Sequence, residues 1–317
     1  MGIRIVERIR TTPGEARARL VAGLRASPAS IPPRYFYDAL GCALYGAICA
    51  LPEYYPTRTE AAIFDAHRDA IAAGMAHGGQ WVDLGAGDGA KSERWLDVVG
   101  TSRYVAVDAA RGALESTLAR LSARFPAIAM TGVVVDFDEG LDLGDVLAPA
   151  PTTFFYPGSS IGNFAPPDAT ALLRAIAVSC ASRPGSGLLI GVDTHKDRAR
   201  LDAAYDDALG VTALFNRNVL SHVNRLLGTA FDVRDFGHVA FYDEAAGRIE
   251  MHLEALRAVD VAIDGVPRHF AKGERIHTEN SYKYRPEAFG RLLADAGFTQ
   301  RRVFLDPAGD FAVFHAR

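Results

Sequence analysis

The chain has 317 residues, of which 49% are hydrophobic and 23% charged, and its formal net charge is -4. This composition is typical of a globular protein with enough apolar residues for one large or two modest cores. The small negative charge gives no electrostatic attraction to nucleic acid or to an anionic membrane, so we expect neither as a partner.

Targeting and redox signals are absent from the sequence pattern. The first twenty residues mix charged and apolar side chains without the apolar run of a secretion signal, and no stretch approaches the ~20 apolar residues of a membrane-spanning helix. The cysteines Cys42, Cys49 and Cys180 have neither the spacing of a disulfide framework nor that of a zinc site. We therefore expect a cytoplasmic monomer without a metal.

The middle of the chain alternates strand and helix patterns. Such an alternation predicts a parallel sheet covered by helices on both faces. The predicted strands are QWVDLG (80–85), RYVAVD (103–108), TGVVVDFD (131–138), PTTFFYPGSS (151–160) and GLLIGVDTH (187–195). The predicted helices between them are KSERWLDVVG (91–100), ARGALESTLARLSARFP (110–126) and PDATALLRAIAVSCASRP (167–184). A last helix (286–298) and two strands, TQRRVFLD (299–306) and DFAVFHAR (310–317), complete a seven-stranded sheet.

The alternation of strand and helix patterns ends after Asp193. Residues 201–228 read as helical, two strands surround a turn at 244–247, and residues 274–285 form another strand. The first ~60 residues have no strand pattern and are rich in proline and tyrosine. We predict two domains, because neither of these regions has a convincing core alone. Residues 62–195 and 286–317 form the sheet domain, and residues 1–61 and 196–285 form a second, discontinuous domain.

A glycine-rich loop, DLGAGDGAKS (83–92), follows the first predicted strand. It is not a P-loop, because Ala90 stands where the second glycine of that motif belongs. Gly85, Gly87 and Ala90 do meet the dinucleotide pattern GxGxx[GA], which leaves a nicotinamide-dependent oxidoreductase open. Both alternatives place phosphate on the loop, where the flanking Asp83 and Asp88 would repel it by about 4 kcal/mol per close contact.

Acidic residues suit S-adenosylmethionine, which carries a sulfonium and an ammonium group. Its carboxylate can accept hydrogen bonds from N–H groups at a helix start. Asp108, at the end of the second strand, fits the ribose hydroxyls, and Asp136 with Phe137, after the third strand, fits the adenine. The sequence therefore predicts an α/β, Rossmann-like class I methyltransferase sheet with a second, discontinuous α+β domain that binds the substrate.

Several segments resemble the family of L-histidine Nα-methyltransferases of ergothioneine biosynthesis, nearly from end to end. The segments that carry the resemblance are YFYDALG (35–41), LPEYYPTRTE (51–60), DLGAGDGAKSE (83–93), GSSIGNF (158–164), AYDDALGVTALFNRNVL (204–220), IEMHL (249–253), TENSYKY (278–284) and DPAGDF (306–311). One departure is DLGAG, where many members have ELGSG; the charge is kept. The resemblance implies S-adenosylmethionine as cofactor and three methyl transfers that convert L-histidine to hercynine.

The resemblance also implies roles for individual residues. Those implied for the cofactor site are Gly85, Gly87, Lys91, Asp108, Asp136 and Phe137. Those implied for the amino-acid head of the substrate are the catalytic pair Asn163 and Tyr54, with Tyr205 at the carboxylate. Those implied for the ring are Glu279 and Ser281, with Tyr37, Phe215 and Met251 lining the pocket.

These residue types suit methyl transfer to an amine. Free α-amino groups titrate at about 7.7–8.0, so a neutral fraction exists without a strong base, and positioning dominates. Asn163 and Tyr54 can orient the amine, and the rings of Tyr37 and Tyr54 can receive the cationic product. Glu279 and Ser281 leave one face of a strand and can bond both imidazole nitrogens. A methyltransferase for another amino acid or amine, the oxidoreductase and a non-catalytic cofactor-binding protein remain alternatives.

Overall fold

The computed structural model describes residues 3–317 and divides the chain into two compact units. Unit 1 contains the described part of Met1–Arg10 together with Arg58–His195 and Tyr284–Arg317. Unit 2 contains Thr11–Thr57 and Lys196–Lys283. Each unit is therefore assembled from segments that are distant in sequence.

Within residues 3–317 the chain forms fourteen strands and ten α-helices. The strands are β1 (Arg4–Glu7), β2 (Ala29–Ser30), β3 (Gln80–Leu84), β4 (Arg103–Asp108), β5 (Ala129–Val134), β6 (Thr152–Tyr156), β7 (Gly187–Asp193), β8 (Phe236–Asp243), β9 (Arg248–Ala255), β10 (Val259–Ile263), β11 (Val266–Phe270), β12 (Arg275–Tyr282), β13 (Arg301–Leu305) and β14 (Phe311–Ala316). The helices are α1 (Pro13–Arg25), α2 (Ala39–Cys49), α3 (Tyr55–Ala66), α4 (Arg68–Ala72), α5 (Ala90–Leu96), α6 (Arg111–Arg124), α7 (Pro166–Ala181), α8 (Arg198–Tyr205), α9 (Val211–Leu227) and α10 (Pro286–Ala296). None of these helices is long and apolar enough to cross a membrane.

Unit 1 is built on an eight-stranded sheet in the order β1-β5-β4-β3-β6-β7-β14-β13. Strands β3 to β7 run parallel, and β14 and β13 close the sheet as an antiparallel hairpin. Every residue of β3, β6 and β7 is buried, and one apolar cluster lies on each face of the sheet. The Rossmann-like sheet predicted from the sequence is confirmed.

The eighth strand corrects an expectation. The sequence predicts no strand in the first ~60 residues and assigns residues 1–61 to the second domain, yet β1 pairs in parallel with β5 at the sheet edge. The structure places it in unit 1. Four residues are too few to show a readable alternation, so only pairing with β5 reveals this strand.

The parallel arrangement positions the loops that carry chemistry. The carboxyl ends of β3, β4, β5 and β6 share one edge of the sheet. At this edge lie the glycine-rich loop after β3, Asp108 at the end of β4, Asp136 after β5 and the loop 157–163 after β6. Ligands of open α/β sheets bind at this edge.

Unit 2 has one core shared by its two segments. Its four-stranded sheet has the order β2-β12-β9-β8, and β10 pairs with β11 as a separate hairpin that the sequence does not predict. Buried residues from Leu20 to Tyr55 and from Leu201 to Ile276 form a single apolar cluster. Neither segment could bury these side chains alone.

The predicted helical stretch 201–228 is divided into α8 and α9. Gly210 adopts a φ of +73°, and the Asp207 carboxylate accepts hydrogen bonds from the N–H groups of Val211 (2.9 Å) and Thr212 (2.7 Å). The N-cap residue is Gly210, and the Asp207 carboxylate satisfies the first two N–H groups of the helix that begins at Val211. The break places Tyr205 at the end of α8, where its side chain is buried.

Candidate active site

The glycine-rich loop of unit 1 presents bare backbone. Gly85, Gly87 and Gly89 adopt φ angles of +69°, +51° and +68°, which favour glycine. A Cβ atom added to Gly85 or Gly87 would meet no atom within 4 Å, whereas at Gly89 it would meet the side chain of Thr117 at 2.8 Å. Gly89 is therefore needed for packing, and Gly85 and Gly87 leave space where a ligand can approach the main chain.

Asp108 lies beside this loop. Its Oδ2 accepts a hydrogen bond from the Gly87 N–H and its Oδ1 accepts one from the Ala110 N–H, both at 2.9 Å. Each carboxylate oxygen has two lone pairs, so each can still accept a further hydrogen bond. The carboxylate thus has the acceptor capacity that a ribose diol requires.

Asp83 does not flank the loop as the sequence suggests. Its carboxylate is buried, and its Oδ2 accepts a hydrogen bond from the Tyr104 hydroxyl at 2.7 Å. Burial raises the pKa of Asp83 to about 6. The Asp88 side chain is exposed and accepts a hydrogen bond from the Ala90 N–H at 3.0 Å, at the start of α5. The Asp83–Asp88 pair therefore repels a phosphate on the loop less than the sequence implied.

Asp136 and Phe137 follow β5 as predicted for an adenine site. Asp136 is buried, and its Oδ1 accepts a hydrogen bond from the Asp138 N–H at 3.1 Å. The Phe137 ring stacks on Tyr156, with ring centroids 6.2 Å apart and 17° between the planes. The pair therefore presents a carboxylate and a fixed aromatic ring at the strand end.

Lys91 binds a residue that the sequence did not single out. Its Nζ donates to Glu60 Oε2 at 2.6 Å, and Glu60 Oε1 accepts a hydrogen bond from the Gly158 N–H at 2.7 Å. Glu60 is fully buried, and a Cβ on Gly191 would lie 2.0 Å from its Oε1. Glu60 thus connects Lys91 of α5 to the loop after β6. No sequence signal separates this glutamate from the exposed ones that helices usually carry.

Asn163 ends a short 3-10 helix, Ser160–Asn163, in the loop after β6. This loop is held by Ser159, whose Oγ accepts a hydrogen bond from the Asp193 N–H at 2.9 Å. The half-buried Asn163 side chain makes no hydrogen bond to any residue between 3 and 317, and α7 begins without a side-chain cap. A capping role does not explain this asparagine.

Aromatic rings cluster in unit 2. Tyr37, Tyr45 and Phe215 lie with ring centroids 5.9–6.2 Å apart. The ring centroid of Tyr54 lies 6.2 Å from that of Tyr205. Burial raises the pKa of Tyr54 well above its ordinary value, so this phenol stays protonated. Tyr45 is absent from the residues predicted for the pocket, although its ring contacts those of Tyr37 and Phe215.

The buried face of β12 carries the predicted ring-binding pair. Glu279 and Ser281 are both buried, while the intervening Asn280 is half-buried, as the two-residue period of a strand requires. Met251 is the strand partner of Glu279 on β9 and is also buried. Burial raises the pKa of Glu279 to about 7, against the opposing effect of Lys283.

The Glu279 carboxylate accepts no hydrogen bond from the residues that the structure describes. The fully buried side-chain atoms without a partner belong to other residues, so the Glu279 oxygens keep some contact with the surroundings. A largely buried carboxylate that no protein group bonds is stable where water, an ion or a ligand completes its bonding. Glu279 is thus the strongest single indication of a polar ligand in unit 2.

Tyr205, Ser281 and Lys283 form a hydrogen-bonded triangle beside Glu279. The Tyr205 hydroxyl donates to Ser281 Oγ at 2.8 Å, and Lys283 Nζ donates to Ser281 Oγ at 2.9 Å and to the Tyr205 hydroxyl at 3.0 Å. Lys283 is 3% exposed. It lies in the segment TENSYKY, but its burial has no sequence signal because lysines are usually exposed.

The histidines His238, His252 and His277 have structural partners. His238 contacts the Asn216 amide and the Tyr205 carbonyl oxygen, each at 2.8 Å. His252 pairs with Glu250 at 2.9 Å, and His277 with Asn280 at 2.9 Å. No group of histidine, cysteine, aspartate and glutamate side chains in residues 3–317 has the arrangement of a metal site.

The fold and the loop after β3 define the class of protein. A Rossmann-like sheet with an open glycine loop and acidic residues at the next two strand ends is that of a class I methyltransferase dependent on S-adenosylmethionine. More narrowly, the chain belongs to the family described as histidine-specific, SAM-dependent methyltransferases, which matches residues 16–317.

Individual relatives support this family. The chain is 43% identical over 298 residues to the histidine N-alpha-methyltransferase of Mycolicibacterium smegmatis, covering 92% of this chain and 91% of that protein. It is 40% identical over 308 residues to the histidine N-alpha-methyltransferase of Mycobacterium tuberculosis, covering 94% and 93%. It is also 32% identical to ergothioneine biosynthesis protein 1 of Neurospora crassa, covering 86% of this chain and 31% of that protein.

Proposed function

We propose that this protein transfers methyl groups from S-adenosylmethionine to the α-amino nitrogen of L-histidine, in three successive steps that yield hercynine. Membership of the histidine-specific family and the names of the mycobacterial relatives support the reaction. One structural observation supports the choice of substrate: the buried Glu279 carboxylate, without a hydrogen-bond partner in the described chain, lies two residues from the Ser281 hydroxyl. A ring with two polar nitrogens suits this pair.

In this proposal the residues of unit 1 hold the cofactor. S-adenosylmethionine supplies, when bound, an electrophilic methyl group on a sulfonium sulfur. Gly85 and Gly87 leave main-chain surface that a ligand can approach without steric hindrance, while their N–H groups bond the Val107 carbonyl oxygen and Asp108. Asp108 accepts hydrogen bonds from the ribose hydroxyls. Asp136 and Phe137 take the adenine, and the Glu60–Lys91 pair keeps α5 in place beside the loop.

Asn163 and Tyr54 orient the amino-acid head in this proposal. The Asn163 amide can accept from the amine and donate to the carboxylate, and the protonated Tyr54 phenol can donate one hydrogen bond and accept others. Fixing the nitrogen lone pair toward the methyl group is the main contribution that such groups make to an in-line displacement. A dedicated base is unnecessary, because an α-amino group with a pKa of about 8 is partly neutral near pH 7.

The aromatic cluster suits the changing charge of the substrate. Each transfer replaces an N–H group with a methyl group and ends in a permanent cation. Aromatic faces stabilise such cations by roughly 0.5–2 kcal/mol each. Tyr37 and Tyr54 are the proposed contacts, and the Tyr45 ring packs against Tyr37.

One competition experiment tests the proposal. Purified protein is incubated with S-adenosylmethionine and the twenty amino acids, and products are resolved by mass spectrometry. We expect histidine to gain one, two and three methyl groups while the others stay unchanged. Preferential methylation of another amino acid would favour the alternative substrate class, and no methylated product would contradict the activity. The nicotinamide alternative finds no support in the family.

The oligomeric state and location remain predictions. We propose that the protein is a monomer, and light scattering at several concentrations would reveal a dimer if this is wrong. We also propose a cytoplasmic location, which cell fractionation checks.

A further inference from the structure

Lys283 is a buried cation to which the proposed mechanism assigns no role. Only 3% of its surface is exposed, and its Nζ lies 4.7 Å from the centre of the Tyr205 ring. Burying a lysine costs free energy unless its charge is paired and its N–H groups are bonded. Lys283 donates hydrogen bonds to Ser281 Oγ and to the Tyr205 hydroxyl, and both residues belong to the proposed histidine site.

Counting hydrogen bonds at Ser281 gives its hydroxyl a defined direction. A serine hydroxyl has two lone pairs and one hydrogen. Lys283 and Tyr205 both donate to Ser281 Oγ, so both lone pairs are used. A lysine ammonium cannot accept a hydrogen bond. The hydrogen of Ser281 must therefore be donated elsewhere, and nothing in residues 3–317 accepts it.

The direction of the Tyr205–Ser281 bond also follows from chemistry. A phenol has a pKa of about 10 and is a far stronger acid than an aliphatic alcohol, so it is the better donor. Lys283 donates to the Tyr205 oxygen as well, which further favours release of the phenol hydrogen toward Ser281. Removing Lys283 would free a lone pair on Ser281 and let the hydroxyl rotate.

We propose that Lys283 is a positioning residue that makes Ser281 a hydrogen-bond donor to the substrate ring, while the neighbouring Glu279 carboxylate is the acceptor. This donor–acceptor pair matches a neutral imidazole, which has one bare nitrogen and one N–H. It mismatches an imidazolium, which has two N–H groups, and an indole, which has no acceptor nitrogen. Lys283 thereby selects one protonation state and one tautomer of the ring. This inference rests on the proposed function.

Two opposing effects act on the pKa of Glu279. Burial raises the pKa of Glu279, and the positive charge of Lys283 acts in the opposite direction. Burial is the larger effect, and Lys283 offsets part of it, which favours the ionised carboxylate that can accept the ring N–H. Lys283 therefore acts on both members of the donor–acceptor pair, Ser281 and Glu279.

A double-mutant cycle separates positioning from a general structural role. We expect Lys283→Met to raise KM for L-histidine about 10–30-fold, to change kcat less than about 3-fold, and to leave the affinity for S-adenosylhomocysteine within about 2-fold. In a Ser281→Ala background the same substitution should raise KM less than about 3-fold, because Lys283 acts through Ser281. Lys272→Met, at an exposed lysine of the same unit, is the matched control. Equal effects in both backgrounds, or an unchanged KM in the single variant, would overturn the proposal.

A spectroscopic test needs no variant. Nitrogen-15 NMR of ring-labelled L-histidine bound to the wild-type protein should show one protonated and one unprotonated ring nitrogen. Two protonated nitrogens would overturn the inference while leaving histidine methylation intact. Failure of the wild-type protein to bind or methylate histidine would instead contradict the proposed function.

Discussion

The candidate cofactor residues of unit 1 and the candidate substrate residues of unit 2 use different parts of the chain. In unit 1 the exposed features are main-chain groups at Gly85 and Gly87, and the nearby acids are already hydrogen-bonded within the loop edge. In unit 2 the features are side chains, above all the Glu279 carboxylate, which no described residue bonds. A ligand common to many enzymes can be held by a common backbone shape, whereas a particular ring requires particular side chains.

The largest effect that tests this contrast is expected at Glu279. Glu279→Ala should raise KM for L-histidine about 100-fold, because a hydrogen bond to a charged group contributes about 1.5–3 kcal/mol. The variant would keep the donor Ser281 but lose the acceptor for the ring N–H. KM for S-adenosylmethionine should stay within about 2-fold. Steady-state kinetics with each substrate varied in turn give both values. Glu254→Ala, at a half-buried glutamate of the neighbouring strand, is the control. Equal changes in both Michaelis constants would remove Glu279 from the ring site.

The converse change is Asp108→Ala in unit 1. We expect S-adenosylhomocysteine to bind about 30-fold more weakly, because the ribose acceptor and the hydrogen bond to the Gly87 N–H are both lost. Isothermal titration calorimetry measures this, with the exposed Asp97→Ala as control. Unchanged affinity would place Asp108 outside the cofactor site.

A substitution of Glu60 tests whether this buried side chain supports the cofactor loop of unit 1. Glu60→Gln removes the charge that pairs with Lys91 and keeps the shape, so we expect about 10-fold weaker S-adenosylhomocysteine binding and an unchanged KM for histidine. The control is Glu93→Gln, which breaks ion pairs with Arg120 and Arg124 on the same unit. A change in histidine KM alone would contradict the assignment of Glu60 to the cofactor side.

The smallest expected effect is on the pH dependence of stability. The pKa of Glu279 rises from 4.5 to about 7 on folding, so between these values the folded chain retains a proton that the unfolded chain has lost. This group therefore lowers stability as pH rises from 4.5 to 7. Glu279→Gln lacks the titration, so its Tm relative to wild type should rise by about 2–5 °C across this window and then level. Thermal unfolding followed by circular dichroism gives the two curves. A Tm difference that stays constant with pH would show that Glu279 is not buried as a carboxylic acid.

The two units also differ in how accurately the sequence predicts their strands and helices. Except for β1, the strands of unit 1 can be predicted because they are short apolar runs. For β4 the predicted bounds, 103–108, are those of the structure. The segmentation of unit 2 is less readable, since the break between α8 and α9 depends on Asp207 accepting two N–H groups. The hairpin of β10 and β11 is missed altogether.

The roles of site residues show the same limit. Asp136 and Phe137 lie where the strand pattern places them, and Glu279 and Ser281 share a buried face as their spacing requires. Asp83, by contrast, bonds to Tyr104 inside the sheet layer, which its place in the loop motif does not indicate. Tyr45 lies in no motif, and the segments that contain Glu60 and Lys283 give these two residues no role. The contacts of all three are seen only in the structure.

The sequence by itself determined the alternating sheet, the glycine loop, the family and the identity of the residues at the strand ends, because each depends on local spacing or on an unbroken motif. Tertiary structure alone decided that Arg4–Glu7 joins the sheet, that Glu60 holds Lys91, and that Lys283 lies buried against Ser281 and Tyr205. The physical reason is that pairing and burial bring together residues far apart in the chain. No local pattern shows which carboxylate or ammonium group has lost its contact with water.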